Sequence, residues 1–119
     1  MEDQDLEIKY EVEGLLFHRP ILIYQSFVKL FGLKAGAFLS LALYRRQMDQ
    51  HFSEAAVLGE EVLSEIDPIF KELCFSQNDR TLIIKILRKN KILELNKIDS
   101  VVYYSLNESE ISKQVPEGI

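Results

Sequence analysis

The chain has 119 residues, 47% of them hydrophobic and 28% charged, with a formal net charge of −5 and one cysteine. That length suits one domain with a real core, and the negative balance argues against a protein that coats nucleic acid regardless of sequence. One cysteine excludes an internal disulfide; the N-terminus is acidic, and the longest apolar run, Ala35–Tyr44, is about half of what a spanning helix needs, so a cytoplasmic protein with no membrane partner is expected.

Residues 1–13 hold six acids against Lys9 and form an acidic tail. The domain is expected over 14–107, opening with a segment, 14–48, that carries five bases and no acid. Within it, a short helix capped by Ser26 should end at Gly32, and a longer one should run from about Lys34 to Gln50. Ala37, Phe38, Leu41, Tyr44 and Met48 make one stripe at helical spacing, widened by Leu39, Ala42 and Leu43. A helix apolar on most sides is a central or interface helix. Residues 51–63 are ambiguous between a helix and a strand that pairs further on, and 49–67 carry six acids and no Lys or Arg.

Ser64–Leu106 is the most ordered stretch. Ser64-Glu65-Ile66-Asp67 and Ser76-Gln77-Asn78-Asp79 each place a hydroxyl at an expected N-cap and a carboxylate three residues on, a variant of the capping box. Their spacing leaves about ten residues for a first helix and two or three for a turn, as a helix-turn-helix requires. Pro68 suits a first helical turn, where its missing N–H costs little. The second helix should run from Gln77 to about Lys89 and stop at Asn90, which tolerates the left-handed conformation. Ile92–Leu95, a polar turn Asn96–Asp99 and Val101–Leu106 read as a hairpin, the wing. The expected fold is therefore mostly α with a small β-hairpin (α+β), a winged helix-turn-helix, followed by a polar C-terminal tail, 108–119.

The run PILIYQSFVKLFGLKAGAFLSLALY, with the unit Ser64–Leu106 after it, resembles the N-terminal winged-helix domain of phage and plasmid replication initiators and bacterial primosome proteins. The likeness spans roughly Pro20–Leu106 and consists of short pieces: a short helix, a Gly-Leu turn, a long helix ending in an aromatic, then the helix-turn-helix and wing. It implies binding of DNA at an origin or operator, or oligomerisation during primosome loading, and no catalysis. Several positions depart from the pattern: with Ile83, Ile84 and Leu87 facing the core, Leu82 and Ile86 should point outward along the face where members carry polar or basic residues. Cys74 occupies the turn, where members usually carry Gly or a small residue, and Asn90-Lys91 precede the wing, where they carry Gly.

Chemistry of other kinds has little support. His18 and His51 are distant in sequence from Cys74 and lack flanking motifs, so no catalytic residue, metal ligand or cofactor site is expected. Cys74, between Leu73 and Phe75, reads as a small buried apolar residue. Two function classes remain. In the first, a DNA-binding protein of a mobile element acts in replication initiation or transcription regulation, on double-stranded DNA. Gln77, Asn78, Thr81 and Lys85 enter the major groove, and Arg88, Lys89 and Lys97 meet phosphates. The net +4 over 68–98 suits that role and equally suits a solvated helix face. In the second, the domain is a protein-interaction module, a homodimer or a partner of a replication or regulatory protein, with Leu82, Ile86, Leu39 and Leu43 at the interface. An acidic mimic of DNA has only the net charge behind it.

Overall fold

Small and apolar residues along the long helix make it the axis of the molecule. The computed structural model describes residues 21–115; the acidic tail 1–13, His18 and the end of the C-terminal tail lie outside the described residues. Among those described, the fold is mostly helical with one two-stranded antiparallel hairpin, an α+β arrangement.

Helix α1 (Gln25–Phe31) and helix α2 (Leu33–Phe52) are separated by Gly32 alone, at φ +89. Ser26 lies inside α1 and does not cap it. A hydroxyl of the neighbouring helix instead holds the residue that precedes α1: Ser40 Oγ accepts the Tyr24 N–H at 3.0 Å and donates to the Gly36 carbonyl at 2.8 Å. Gly36 is where the two helices touch, since a Cβ there would stand 2.7 Å from Val28 N. Every residue of α2 from Ala35 to Ala42 is buried, as an all-round apolar helix requires. Leu39 is fully buried in this chain's own core, which removes it from any surface interface.

The ambiguous stretch resolves into the end of α2, a one-turn helix α3 (Glu54–Val57) capped by Ser53, and an extended run. Helix α4 (Asp67–Glu72) is shorter than the spacing predicts, and its N-cap is Ile66. Ser64 is no cap, because tertiary pairing captures it. Its carbonyl accepts the Tyr104 N–H at 2.9 Å, and the Ile66 N–H bonds Val102 O at 3.1 Å. The buried Ser64 Oγ donates to Asp49 Oδ2 at 2.8 Å and accepts from Arg46 Nη1 at 3.1 Å, so side chains of α2 satisfy a hydroxyl that burial would otherwise leave unbonded.

Helix α5 (Gln77–Lys89) has the full capping box at Ser76 and Asp79. Strands β1 (Leu93–Ile98) and β2 (Val101–Leu106) pair with Leu95 opposite Tyr104. The turn is Asp99-Ser100, two residues at φ +49 and +69 as a type I′ hairpin turn demands, so Asn96, Lys97 and Ile98 belong to the strand and not to the turn. Tyr104 Oη donates to the Ala42 carbonyl at 2.6 Å, tying the hairpin to α2, and burial pushes this phenol well above its ordinary range.

The polar C-terminal segment opens with a helix. Helix α6 (Glu108–Gln114) is capped by the Asn107 side chain, and Ile111 and Val115 are buried. Gln114 Nε2 donates to the Asn90 carbonyl at 2.9 Å, so α6 seals the end of α5. Leu43, expected at an interface, is half-buried against the core and shares a cleft with Ile111 and Ser112 of α6.

Candidate nucleic-acid interface

Two helix endings set the geometry of α5. At the end of α4 the Cys74 N–H bonds Lys71 O and the Phe75 N–H bonds Phe70 O, both at 3.1 Å, the paired bonds of a Schellman motif. Its left-handed position falls on Cys74, at φ +57, and the thiol is exposed. The buried cysteine expected from its apolar neighbours is thus corrected: the motif turns position 74 outward and sends Phe75 inward. The same motif ends α5. The Lys91 N–H bonds Arg88 O and the Ile92 N–H bonds Leu87 O, with Lys91 at φ +61. Asn90, expected to take the left-handed role, keeps φ −86 and donates its side-chain amide to Ile86 O at 2.8 Å.

The angle between α4 and α5 is held by Arg80. Its guanidinium stands 5.3 Å from the centre of the Phe70 ring, Nε donates to Phe75 O at 3.4 Å, and Nη1 lies 3.8 Å from Asp67. Phe70 in turn stacks on Phe38 of α2 at 4.8 Å. At the start of α5, Lys34 Nζ donates to Asp79 Oδ1 at 2.7 Å. That bond, then the Ser76 N–H, holds the Asp79 carboxyl below its ordinary value. The only acid of α5 is therefore committed to its own cap and to α2.

Turned at about 100° per residue, the outward side of α5 carries Gln77, Arg88, Thr81, Lys85, Asn78, Lys89 and Leu82, in that order around the arc. All seven are exposed, while Ile83 and Leu87 point into the core. Among the described residues no acid pairs with Lys85, Arg88 or Lys89. Thr81 Oγ1 is engaged with Gln77 O at 3.0 Å, a local bond that an incoming group can replace. Lys97 is exposed on the hairpin, near its tip and opposite Val102, so it belongs to a different element from the other six expected contacts.

The apolar pair Leu82 and Ile86 is split by the packing. Ile86 is half-buried against the core, whereas Leu82 is 53% exposed at the margin of the arc. Two basic residues beside the arc are additions to the expected set. Lys91 is exposed because the left-handed turn throws it outward, and Lys34 reaches α5 from α2. A Lys-Asn-Lys run at a helix end was the available signal for the first; nothing local signalled the second.

Among the described residues no group of His, Cys, Asp and Glu is placed to hold a metal ion, and no helix is long and apolar enough to cross a membrane. No protein-family model matches the chain, and no curated protein or solved structure does.

Proposed function

We propose that the chain is a winged-helix DNA-binding protein in which α5 enters the major groove of double-stranded DNA and the β1–β2 hairpin is the wing. The observation that carries this reading is the composition of the outward arc of α5. Apart from Leu82 at its margin, the arc is amide, hydroxyl and cationic side chains with no carboxylate among them. Gln77, Asn78 and Thr81 at the N-terminal turns suit base edges, and amide side chains pair best with adenine. Lys85, Arg88 and Lys89 follow toward the C-terminus, where phosphate contacts fix register. Lys91 joins them at the helix end, and Lys97 supplies the wing contact.

Two further features support the reading. The segment Ser64–Ile66 pairs with β2 just before the two helices begin, so sheet and helices are built as one unit. The Schellman turns at Cys74 and Lys91 stand where the resembled replication-initiator domains carry Gly or a small residue and Gly respectively, and the backbone here takes the left-handed conformation that favours Gly. A role in replication initiation or transcription regulation of a mobile element rests on that resemblance alone.

A second reading, a protein-interaction module, is favoured by Leu82, an exposed aliphatic side chain beside the half-buried Ile86. The test is binding to an A·T-containing duplex at about 50 and 200 mM salt, with Lys85→Ala, Arg88→Ala and Lys89→Ala combined. The slope of log affinity against log salt should fall by about 0.9 for each phosphate that the variant no longer neutralises. A triple variant with unchanged slope and affinity removes α5 from the DNA surface, and a wild-type chain that ignores DNA at low salt refutes the reading.

A further inference from the structure

The apolar ridge of α2 continues past the end of the core. Met48 and Phe52 are four residues apart and share one helix face, and Phe52 is 73% exposed. The chain then doubles back on itself. The Ala56 N–H bonds Ser53 Oγ at 3.1 Å, the Val57 N–H bonds Ser53 O at 3.1 Å, and the Leu58 N–H bonds Glu54 O at 3.0 Å. A Schellman pair closes the corner, from the Gly59 N–H to Ala56 O and from the Glu60 N–H to Ala55 O. Val57 and Leu58, exposed at 78% and 62%, therefore sit on a hydrogen-bonded turn that begins one residue after Phe52. Large apolar side chains fixed outward at a capped corner form the kind of patch that serves interaction.

Charge selects the occupant. No Lys or Arg occurs between Gln47 and Phe70, and Glu54, Glu60 and Glu61 of the corner are exposed, whereas Glu65 shares a cleft with Arg45 and Asp67 faces Arg80. DNA and anionic lipid are repelled from such a rim. A second copy in a two-fold contact would set the same acids against each other. A segment that offers apolar anchors flanked by Lys and Arg matches both the patch and its rim. The corner also stands about 27 Å along α2 from the Lys34–Asp79 contact, at 1.5 Å per helical residue, so it is separate from the first turns of α5.

We propose that this corner, Met48, Phe52, Val57 and Leu58 with its acidic rim, docks a cationic amphipathic segment of a partner protein. The proposal does not depend on DNA binding by α5. The test titrates the full chain with a helical peptide made only of leucine and lysine, and with its leucine–glutamate counterpart, while amide NMR signals and binding are followed. The lysine peptide should bind with shifts centred on residues 48–61, and the glutamate peptide should not bind. Phe52→Ser with Val57→Ser should weaken the lysine peptide about tenfold or more at unchanged Tm. Glu60→Lys with Glu61→Lys, which keeps the apolar anchors, should weaken it too. Equal binding by the double serine variant, or shifts spread over acids elsewhere, overturns the proposal. So does a concentration-dependent increase in mass that the serine variant abolishes, which would make the occupant a second copy.

Discussion

Replacing Gly36 with Ala sets local preference against tertiary packing. In the interior of a helix Ala is favoured over Gly by about 1 kcal/mol, so α2 taken alone should gain. In the folded chain the new Cβ would meet Val28 N at 2.7 Å, Val28 Cα at 2.8 Å and Phe27 C at 3.0 Å, where ordinary contact is 3.4–4 Å. All three are backbone atoms of α1, so no side chain can swing away, and relief requires α1 to lift as a unit. Phe27 and Phe31, buried beneath it, would lift with it. Overpacking of this kind costs about 1–3 kcal/mol, and loosening two aromatic anchors adds to that. The net expectation is a loss of about 1–2 kcal/mol, read as a Tm lower by about 4–8 °C in a two-state melt followed by circular dichroism. A Gly36→Ala variant that melts at or above the wild-type temperature would refute the close approach of α1 and α2.

Leu82→Ser should change stability by less than about 0.5 kcal/mol, whereas Ile86→Ser should cost about 2–4 kcal/mol in denaturant unfolding, because only Ile86 packs on the core; equal effects would contradict that division. Cys74 should react with a thiol reagent in the folded protein almost as fast as in denaturant, and Cys74→Gly should raise stability by about 0.5–1 kcal/mol by relieving the left-handed backbone; slow native labelling would place the thiol inside. The Asp79 carboxyl is lowered in the fold, so its contribution is present at neutral pH and lost as pH falls through the lowered value. Unfolding midpoints measured from pH 7 to 2 should therefore drop more for the wild type than for Asp79→Asn below about pH 4, and parallel curves would mean that the Lys34 bond is not formed in solution.

The starts of α4 and α5 show where local and non-local information part. Ser76 and Asp79 cap α5 as their spacing predicts, because both partners lie within one turn and the bond forms wherever the helix does. Ser64 and Asp67 repeat the pattern and do not cap, because Tyr104, Arg46 and Asp49 claim Ser64 from far along the chain. Ser26 and Ser40 make the same contrast at α1, where the hydroxyl that holds the residue before the helix belongs to its neighbour.

What the amino-acid sequence determined by itself was the order of the two N-terminal helices, the helix pair α4–α5 and the hairpin, the central helix, the α5 cap and the polar and cationic outward residues of α5, since each follows from contacts within a few residues or from apolar periodicity. Tertiary structure alone decided which apolar residues are surface. Leu39 looks like Leu82 in a helical stripe, yet one is fully enclosed in the core and the other is left at a margin, and α6 forms only because Ile111 and Val115 find the core. That Cys74 faces solvent is local in origin yet unsignalled by hydrophobicity, because a Schellman ending puts its left-handed residue outward through bonds to carbonyls of the preceding turn, whereas the end point of α4 that sets this position depends on the tertiary pairing of Ser64 and Ile66.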